Sequence, residues 1–144
     1  DQLEQDLAIL VSESATIQIL VDQNVKEARV LVNPFMFVTA VNNLVDNGLK
    51  YNKERIKHIH IRLSIGARDT VVMTVQDNGI GISHNQLPYI FTKGYRGKQE
   101  ASSNGIGLGL FFVKEVMRIH RWKIDVKSDS QPGTIFSISI PIIK

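Results

Sequence analysis

Apolar and polar positions alternate most clearly in two neighbouring stretches. His58–Ile65 and Thr70–Asp77 are β-branched runs separated by Gly66–Asp69, the pattern of two strands joined as a hairpin. Thr134–Ile140 alternates in the same way and predicts a final strand, with another at Trp122–Ser128. Ala15–Val21 also alternates. A turn at Asp22–Lys26 and a short apolar run at Ala28–Val32 follow it, which predicts a second hairpin. Helical spacing appears in three places. Leu3, Leu7, Leu10 and Val11 predict a helix over Leu3–Glu13. Asn33 followed by Pro34 is a cap and first-turn signal, and the helix it opens is predicted to run to about Lys53. Gly107–His120 predicts the third, while Ser83–Asn104 is of mixed polarity, richest in polar residues from Lys93 on. Helices inserted between about six strands predict an α+β fold. The expected form is a two-layer α/β sandwich, with one mixed, mostly antiparallel sheet of about five strands packed on three helices.

The 144 residues suffice for one domain with its own core, and 43% hydrophobic with 22% charged residues is the balance of an ordinary soluble protein. No apolar run approaches the roughly 18–20 residues that span a bilayer, and no secretory or transit segment opens the chain. It starts at Asp1 rather than at Met, which predicts a piece excised from a longer protein, with any membrane anchor elsewhere. The absence of cysteine excludes disulfides and thiolate metal sites and suits a reducing compartment. A formal charge of +3 is compatible with nucleic acid or with a phosphate-bearing small ligand. No Lys/Arg run is interleaved with aromatic stacking platforms, so nucleic acid is not read as a partner.

Four segments carry candidate chemistry. On the helix after Asn33, Val38, Val41, Leu44, Val45, Gly48 and Leu49 fall on one side, Asn43, Asp46, Asn47 and Lys50 on the other, and Tyr51 near the boundary. Asn43 and Asn47 are one turn apart and can converge on one ion. Mg²⁺ takes oxygen ligands and shares them with phosphates, and Lys50 can reach phosphate oxygens. Taken alone, the stripe reads equally as a solvated face. Asp77–Ile82 (DNGIGI) places a carboxylate at a strand end before Gly79 and Gly81, so a largely buried Asp77 needs donors such as an exocyclic amine. The alternative is a plain Asp-Asn-Gly turn. Asn104–Leu110 (NGIGLGL) alternates Gly105, Gly107 and Gly109 into a helix start, which suits phosphate. It matches neither the dinucleotide fingerprint nor the Walker loop. Ile90–Lys98 combines an aromatic anchor, Phe91, with the cations Lys93, Arg96 and Lys98 and with Gly94 and Gly97. This is the composition of a lid over phosphates or of a basic loop.

Together and in this order, these segments resemble the catalytic ATP-binding domain of bacterial sensor histidine kinases, the Bergerat fold shared with the gyrase, Hsp90 and MutL ATPases. NLVDNGLKY resembles the N box, DNGIGI the first glycine box, PYIFTKGYRG the F box, NGIGLGL the second glycine box, and Pro132–Ile138 the terminal threonine-bearing strand. The resemblance covers nearly all of the chain from about Asp6 and implies ATP and Mg²⁺ as cofactors. It implies Asn47 as metal ligand with Asn43 beside it, Lys50 and Tyr51 at phosphate and ribose, and Asp77 at the adenine amine with Gly79, Gly81 and Ile82 around the base. It also implies Phe91, Lys93, Tyr95 and Arg96 in the lid, Gly105, Gly107, Leu108, Gly109 and Leu110 around the phosphates, and Thr134 supporting Asp77 or the adenine through water. Two positions depart from the family pattern: Gly94 stands where a second Phe is usual, and Gly48 where Ala is usual. Neither is expected to touch a metal or adenine contact.

In the hydrolysing relatives a Glu that activates water stands where this chain has Asn43, and an amide is no base. The resemblance therefore implies phosphotransfer rather than hydrolysis. His58, His60, His84 and His120 are not in the family's phosphoacceptor context, so the acceptor histidine is expected on a separate dimerisation domain of the same parent. A response regulator is implied downstream. The parent is expected to be a homodimeric inner-membrane sensor with this part cytoplasmic, monomeric when isolated and without membrane contact of its own. The alternatives are a nucleotide-binding regulatory module without kinase activity, and a related serine kinase or anti-sigma factor.

Overall fold

The computed structural model describes residues 5–95, 108–128 and 133–144, with residues 5–11 as backbone alone. Six strands form one sheet: β1 (Gln5–Val11), β2 (Ala15–Asp22), β3 (Lys57–Gly66), β4 (Thr70–Asp77), β5 (Lys123–Lys127) and β6 (Ile135–Pro141). Their order is β1-β2-β3-β4-β6-β5. Only β2 and β3 run parallel; the other neighbours are antiparallel. The long helix α1 (Pro34–Lys50) makes the crossover that parallel strands require, and α2 (Gly109–His120) precedes β5. The mixed, mostly antiparallel sheet agrees with the expectation, as does the hairpin of β3 and β4, which pairs Ile59 with Asp77 and Gly66 with Thr70.

Alternation along the strands creates the two layers. Ile59 and Ile61, Val71, Met73 and Val75, Ile124, and Phe136, Ile138 and Ile140 are buried, while His58, His60 and Arg62 between them are exposed. Against this inner face α1 buries Ala40, Leu44 and Gly48, spaced by four, and α2 buries Val113, Val116 and Met117. Val38, expected on the apolar side of α1, is 55% exposed. It lies about 120° around the helix from Leu44, beyond the contact stripe. Asn33 caps α1 as expected, its Oδ1 accepting from Met36 N–H at 3.1 Å, with Pro34 in the first turn.

Three expectations are corrected. The helix over Leu3–Glu13 is strand β1, paired with β2 from Gln5 opposite Asp22 to Val11 opposite Thr16. The run Leu7–Val11 is continuously apolar, and Ser12 turns it back: its N–H donates to the Ala15 carbonyl at 2.8 Å and its Oγ accepts from Ala15 N–H at 3.0 Å. A tight turn and a ready strand partner outweigh apparent helical spacing in so short a segment. The second hairpin does not form. β2 is flanked by β1 and β3, and the 28–32 run makes only an isolated bridge, Val30 with Ile142 near the C-terminus. The described residues therefore contain two α-helices rather than three, plus single 3-10 turns at Gln23–Val25 and Leu87–Tyr89. No helix among them is long and apolar enough to cross a membrane.

Asn33 also donates its backbone N–H to His120 Nε2 at 3.0 Å, and that ring's Nδ1 lies 2.8 Å from the Val116 carbonyl. The cap therefore ties the start of α1 to the end of α2. Asn33→Ala removes only the side-chain cap and should lower stability by about 1 kcal/mol. Urea denaturation reads this directly, and an unchanged midpoint would count against the cap.

Candidate functional site

The site begins where β4 ends. Asp77 N–H donates to the Thr134 carbonyl at 3.0 Å, and Asp77 Oδ1 accepts from the backbone N–H groups of Gly79 at 2.8 Å and Thr134 at 3.2 Å. All of these side-chain bonds go to one oxygen. Among the described residues no donor is directed at Oδ2, which faces α1. Burial pushes the Asp77 carboxyl above its ordinary range, and the bonds from Gly79 and Thr134 offset part of that rise. The carboxylate is thus held in place at one oxygen and left open at the other.

The close approach of α1 to Asp77 depends on Gly48. A methyl group there would lie 2.7 Å from Ile59 Cδ1, 3.0 Å from Asp77 Cβ and 3.1 Å from Asp77 Oδ2. Gly48 therefore lies against Asp77, the residue expected at the adenine amine, and the expectation that it is remote from that position is corrected. It follows helix periodicity, which gives the face of α1 but not how near β4 comes to it.

The turn after Asp77 is stapled to the end of α1. Asn78 Oδ1 accepts from Asn52 Nδ2 at 2.7 Å and from His58 N–H at 2.8 Å, and Asn78 Nδ2 donates to the Ile56 carbonyl at 3.0 Å. Ile80 N–H donates to the Tyr51 carbonyl at 3.0 Å. The buried Asn52 also accepts from Glu54 N–H at 3.0 Å. These bonds end α1 at Lys50 rather than near Lys53 by drawing the backbone out of helical geometry. Gly79 sits so close to the Tyr51 carbonyl that a side chain there would overlap it. On the other flank, Ser128 Oγ accepts from Ile82 N–H at 2.7 Å, donates to the Gly133 carbonyl at 2.9 Å and lies 3.1 Å from Thr134 Oγ1. Gly133 has φ +96, and a Cβ on it would overlap the Asp77 carbonyl. Asn52, Asn78 and Ser128 are functional supports that sequence reasoning missed. The Asn-Gly pair was a signal for a turn, but nothing local marks the partners of its side chain.

The α1 stripe is placed differently from the expectation. Asn43 and Asn47 are half-buried on the flank of α1, not on its solvent side, whereas Asp46 and Lys50 are exposed. α2 begins opposite them: a Cβ on Gly109 would lie 3.7 Å from Asn43 Oδ1. Among the described residues no side chain caps the start of α2 at Leu108, and free N–H groups at a helix start suit an anion. Lys50 stands at the rim, its Nζ 5.4 Å from the Tyr51 ring centroid. Two neutral amide oxygens suit a cation whose remaining ligands are phosphate and water. The described residues contain no group of three or more His, Asp or Glu able to hold a metal unaided.

The candidate lid follows the 3-10 turn. Phe91 packs edge-on to Phe136 at 6.3 Å, under Lys114 Nζ at 5.4 Å from its centroid. Lys93 Nζ lies 5.9 Å from the Phe111 centroid, and Tyr95 is 6.3 Å from Tyr89. Gly94, at φ +74, has open space where a side chain would project. Leu108 is exposed, while Ile82 and Leu110 pack against the core. Arg96, Lys98, Gly105 and Gly107 lie outside the described residues. Asp77, Gly79, Gly81, Thr134, Tyr51, Asn47, Asn43 and Gly109 thus follow one another through contacts between α1, β4, β6 and α2, with Lys50 at the edge.

A family model described as histidine kinase-, DNA gyrase B-, and HSP90-like ATPase matches residues 33–144. The sensor protein RprX of Bacteroides fragilis is 33% identical over 121 residues, covering 78% of this chain and 23% of its own length. The sensor histidine kinase MtrB of Mycobacterium leprae is 28% identical over 136 residues, covering 93% and 24%. The chain therefore spans about a quarter of the length of these curated relatives. Among solved structures, a mycobacterial sensor histidine kinase, MprB, superposes with a TM-score of 0.71 at 24% identity, over 90% of this chain and 82% of that one. Full-length ShkA in complex with AMPPNP superposes at 0.73 with 17% identity, over 100% of this chain and 33% of that one. At these identities the structures show a common fold.

Two substitutions test the supports. Asn78→Ala strands the Asn52 amide and the His58 N–H and should cost about 1–3 kcal/mol in urea denaturation; a loss below measurement error would remove the staple from the account. Gly48→Ala carries a helix-propensity gain of up to about 1 kcal/mol. Its methyl group meets Ile59 and Asp77, so stability should stay level or fall. A gain of the full propensity difference would show that both neighbours yield freely.

Proposed function

We propose that this chain, which belongs to the histidine kinase-, DNA gyrase B-, and HSP90-like ATPase family, binds Mg-ATP and passes its γ-phosphoryl to a histidine on another part of its parent protein. The observation that carries this reading is Asp77. One carboxylate oxygen is committed to two backbone donors, and the other is unengaged among the described residues. A carboxylate so placed selects a ligand bearing an N–H donor, and the exocyclic amine of adenine is such a donor. Asn47, with Asn43, supplies oxygens to Mg²⁺, which when bound neutralises phosphate charge and orients the transferring group. The open start of α2 takes phosphate oxygens, and Lys50, Lys93 and Arg96 add positive charge around them. Tyr51, Gly79, Gly81, Ile82, Phe91 and Tyr95 shape the base and ribose walls, and the 105–110 loop encloses the phosphates. Thr134 acts on the base through the Asp77 carboxylate.

Asn43 supports transfer over hydrolysis, because an amide cannot take a proton from water. The acceptor lies outside these four histidines on this reading. His120 is engaged by Asn33 and the Val116 carbonyl and stacks 4.3 Å from Trp122, while His58 and His60 pair on the outer face of β3. The names of the relatives, a sensor protein and a sensor histidine kinase, support a signal-sensing kinase as parent; a homodimeric inner-membrane sensor with a phosphoacceptor domain and a downstream response regulator completes the proposal.

Asp77→Asn is the decisive variant. Loss of the charged acceptor should weaken ADP and ATP binding by about tenfold or more. The melting temperature should hold or rise, because a desolvated charge is removed. Unchanged affinity in calorimetry would refute the adenine assignment. The pH dependence follows from the raised carboxyl. Its folded-state value exceeds the unfolded one, so its contribution to stability is present at low pH and is lost as pH rises through the folded value. On acidification the nucleotide-free protein gains that contribution, while ATP affinity falls, beginning above the ordinary carboxylate range. Asp77→Asn should abolish both trends. With a cognate phosphoacceptor helix added in trans, radiolabelled ATP should yield phosphohistidine, and its absence would leave a nucleotide-binding module.

A further inference from the structure

Two cation–π contacts cross between the lid and α2. Lys93 of the lid reaches the Phe111 ring of α2, at 5.9 Å from its centroid, and Lys114 of α2 reaches the Phe91 ring of the lid, at 5.4 Å. Phe111 and Lys114 are three residues apart on α2 and share a face. Phe91 is itself fixed by its edge contact with Phe136 at 6.3 Å in the sheet. Phe91 is therefore anchored in the core, and Lys93, two residues on, is held by its side chain at the helix.

Lys93 is exposed, and among the described residues the Phe111 ring is the only group that engages its ammonium. Phe111 is the third residue of α2, in the turn whose N–H groups lack a side-chain cap among the described residues and whose Gly109 faces Asn43. The ring thus keeps a mobile four-carbon cation at the end of α2 that attracts anions. A ring face holds an exposed ammonium weakly, so the ammonium can pass from it to a phosphate oxygen, which binds it more strongly.

We propose that Phe111 is a positioning residue for nucleotide phosphates: it holds the Lys93 ammonium beside the first turn of α2 before the ligand arrives. The proposal rests on the reading of this site as an ATP site. It assigns Phe111 no contact with the nucleotide and predicts an effect confined to ligands that carry phosphate.

The test is a thermodynamic cycle on the nucleotide-binding protein, with ATP and adenosine as probes in calorimetry. Phe111→Leu keeps an apolar side chain of similar bulk but lacks the ring. It should weaken ATP binding about two- to fivefold and leave adenosine unchanged. Phe111→Tyr restores the ring and should restore ATP affinity. Lys93→Gln should weaken ATP binding, and adding Phe111→Leu to it should have no further effect. Wild-type affinity in Phe111→Leu, an equal loss for adenosine, or a full additional loss in the double variant would overturn the proposal. Failure of the wild type to bind either probe would instead overturn the ATP reading.

Discussion

The Asp77 carboxylate is the point on which this architecture turns. Its Oδ1 is shared by two backbone N–H groups, one from the turn that leaves β4 and one from the residue before β6. Those bonds hold the end of a central strand, a glycine turn and the entry to a neighbouring strand at one position. The arrangement is expensive in solvation, since a half-buried carboxylate loses water, and two neutral donors recover only part of the loss. A fold optimised for stability alone would place an amide or an apolar residue there. Retaining the acid gives the site a charged acceptor of fixed direction.

Everything around this carboxylate keeps it from relaxing. Gly48 lets α1 come close enough to restrict it, Gly133 lets β6 pass against the Asp77 carbonyl, and Ser128 ties the far side of the glycine turn to the β6 entry. Asn78 and Asn52 hold the turn to the end of α1 by side-chain amides, both of which are satisfied. The contrast with the lid is physical. The Asp77 end of the site is made of short bonds to backbone, whereas Lys93 is held by a ring face alone among the described residues.

Much of this was legible in the chain. Strict alternation gave β3, β4 and β6, because each has one face on the core and one in solvent, and Asn33-Pro34 gave the start of α1 through local chemistry. Asp77 was legible as an acid drawn partly out of water because glycines follow it, and it is half-buried. What was not legible depended on distant partners. The Leu7–Val11 run is a strand because β2 is there to pair with, and the 28–32 run lost its partner because both edges of β2 were taken. Asn52 and Ser128 read only as the last residues of a helix and of a strand, and their partners, Asn78 for the one and Ile82 and Gly133 for the other, lie outside those elements. Gly48 reads as a weak point in a helix, and only the position of β4 shows why no side chain is there.

The staple between Tyr51 and Ile80, and the bond between Asp77 and Thr134, also bear on the order of assembly. The first closes a loop of about thirty residues and the second one of nearly sixty, after β3, β4 and β6 have aligned. No fragment holding only the helix stripe or only the glycine turn contains the site. The site exists only when the whole sheet is formed, and its occupancy is coupled to that sheet. A ligand bound there stabilises every strand on which the site depends, so on the proposed reading nucleotide binding and the stability of the domain are linked.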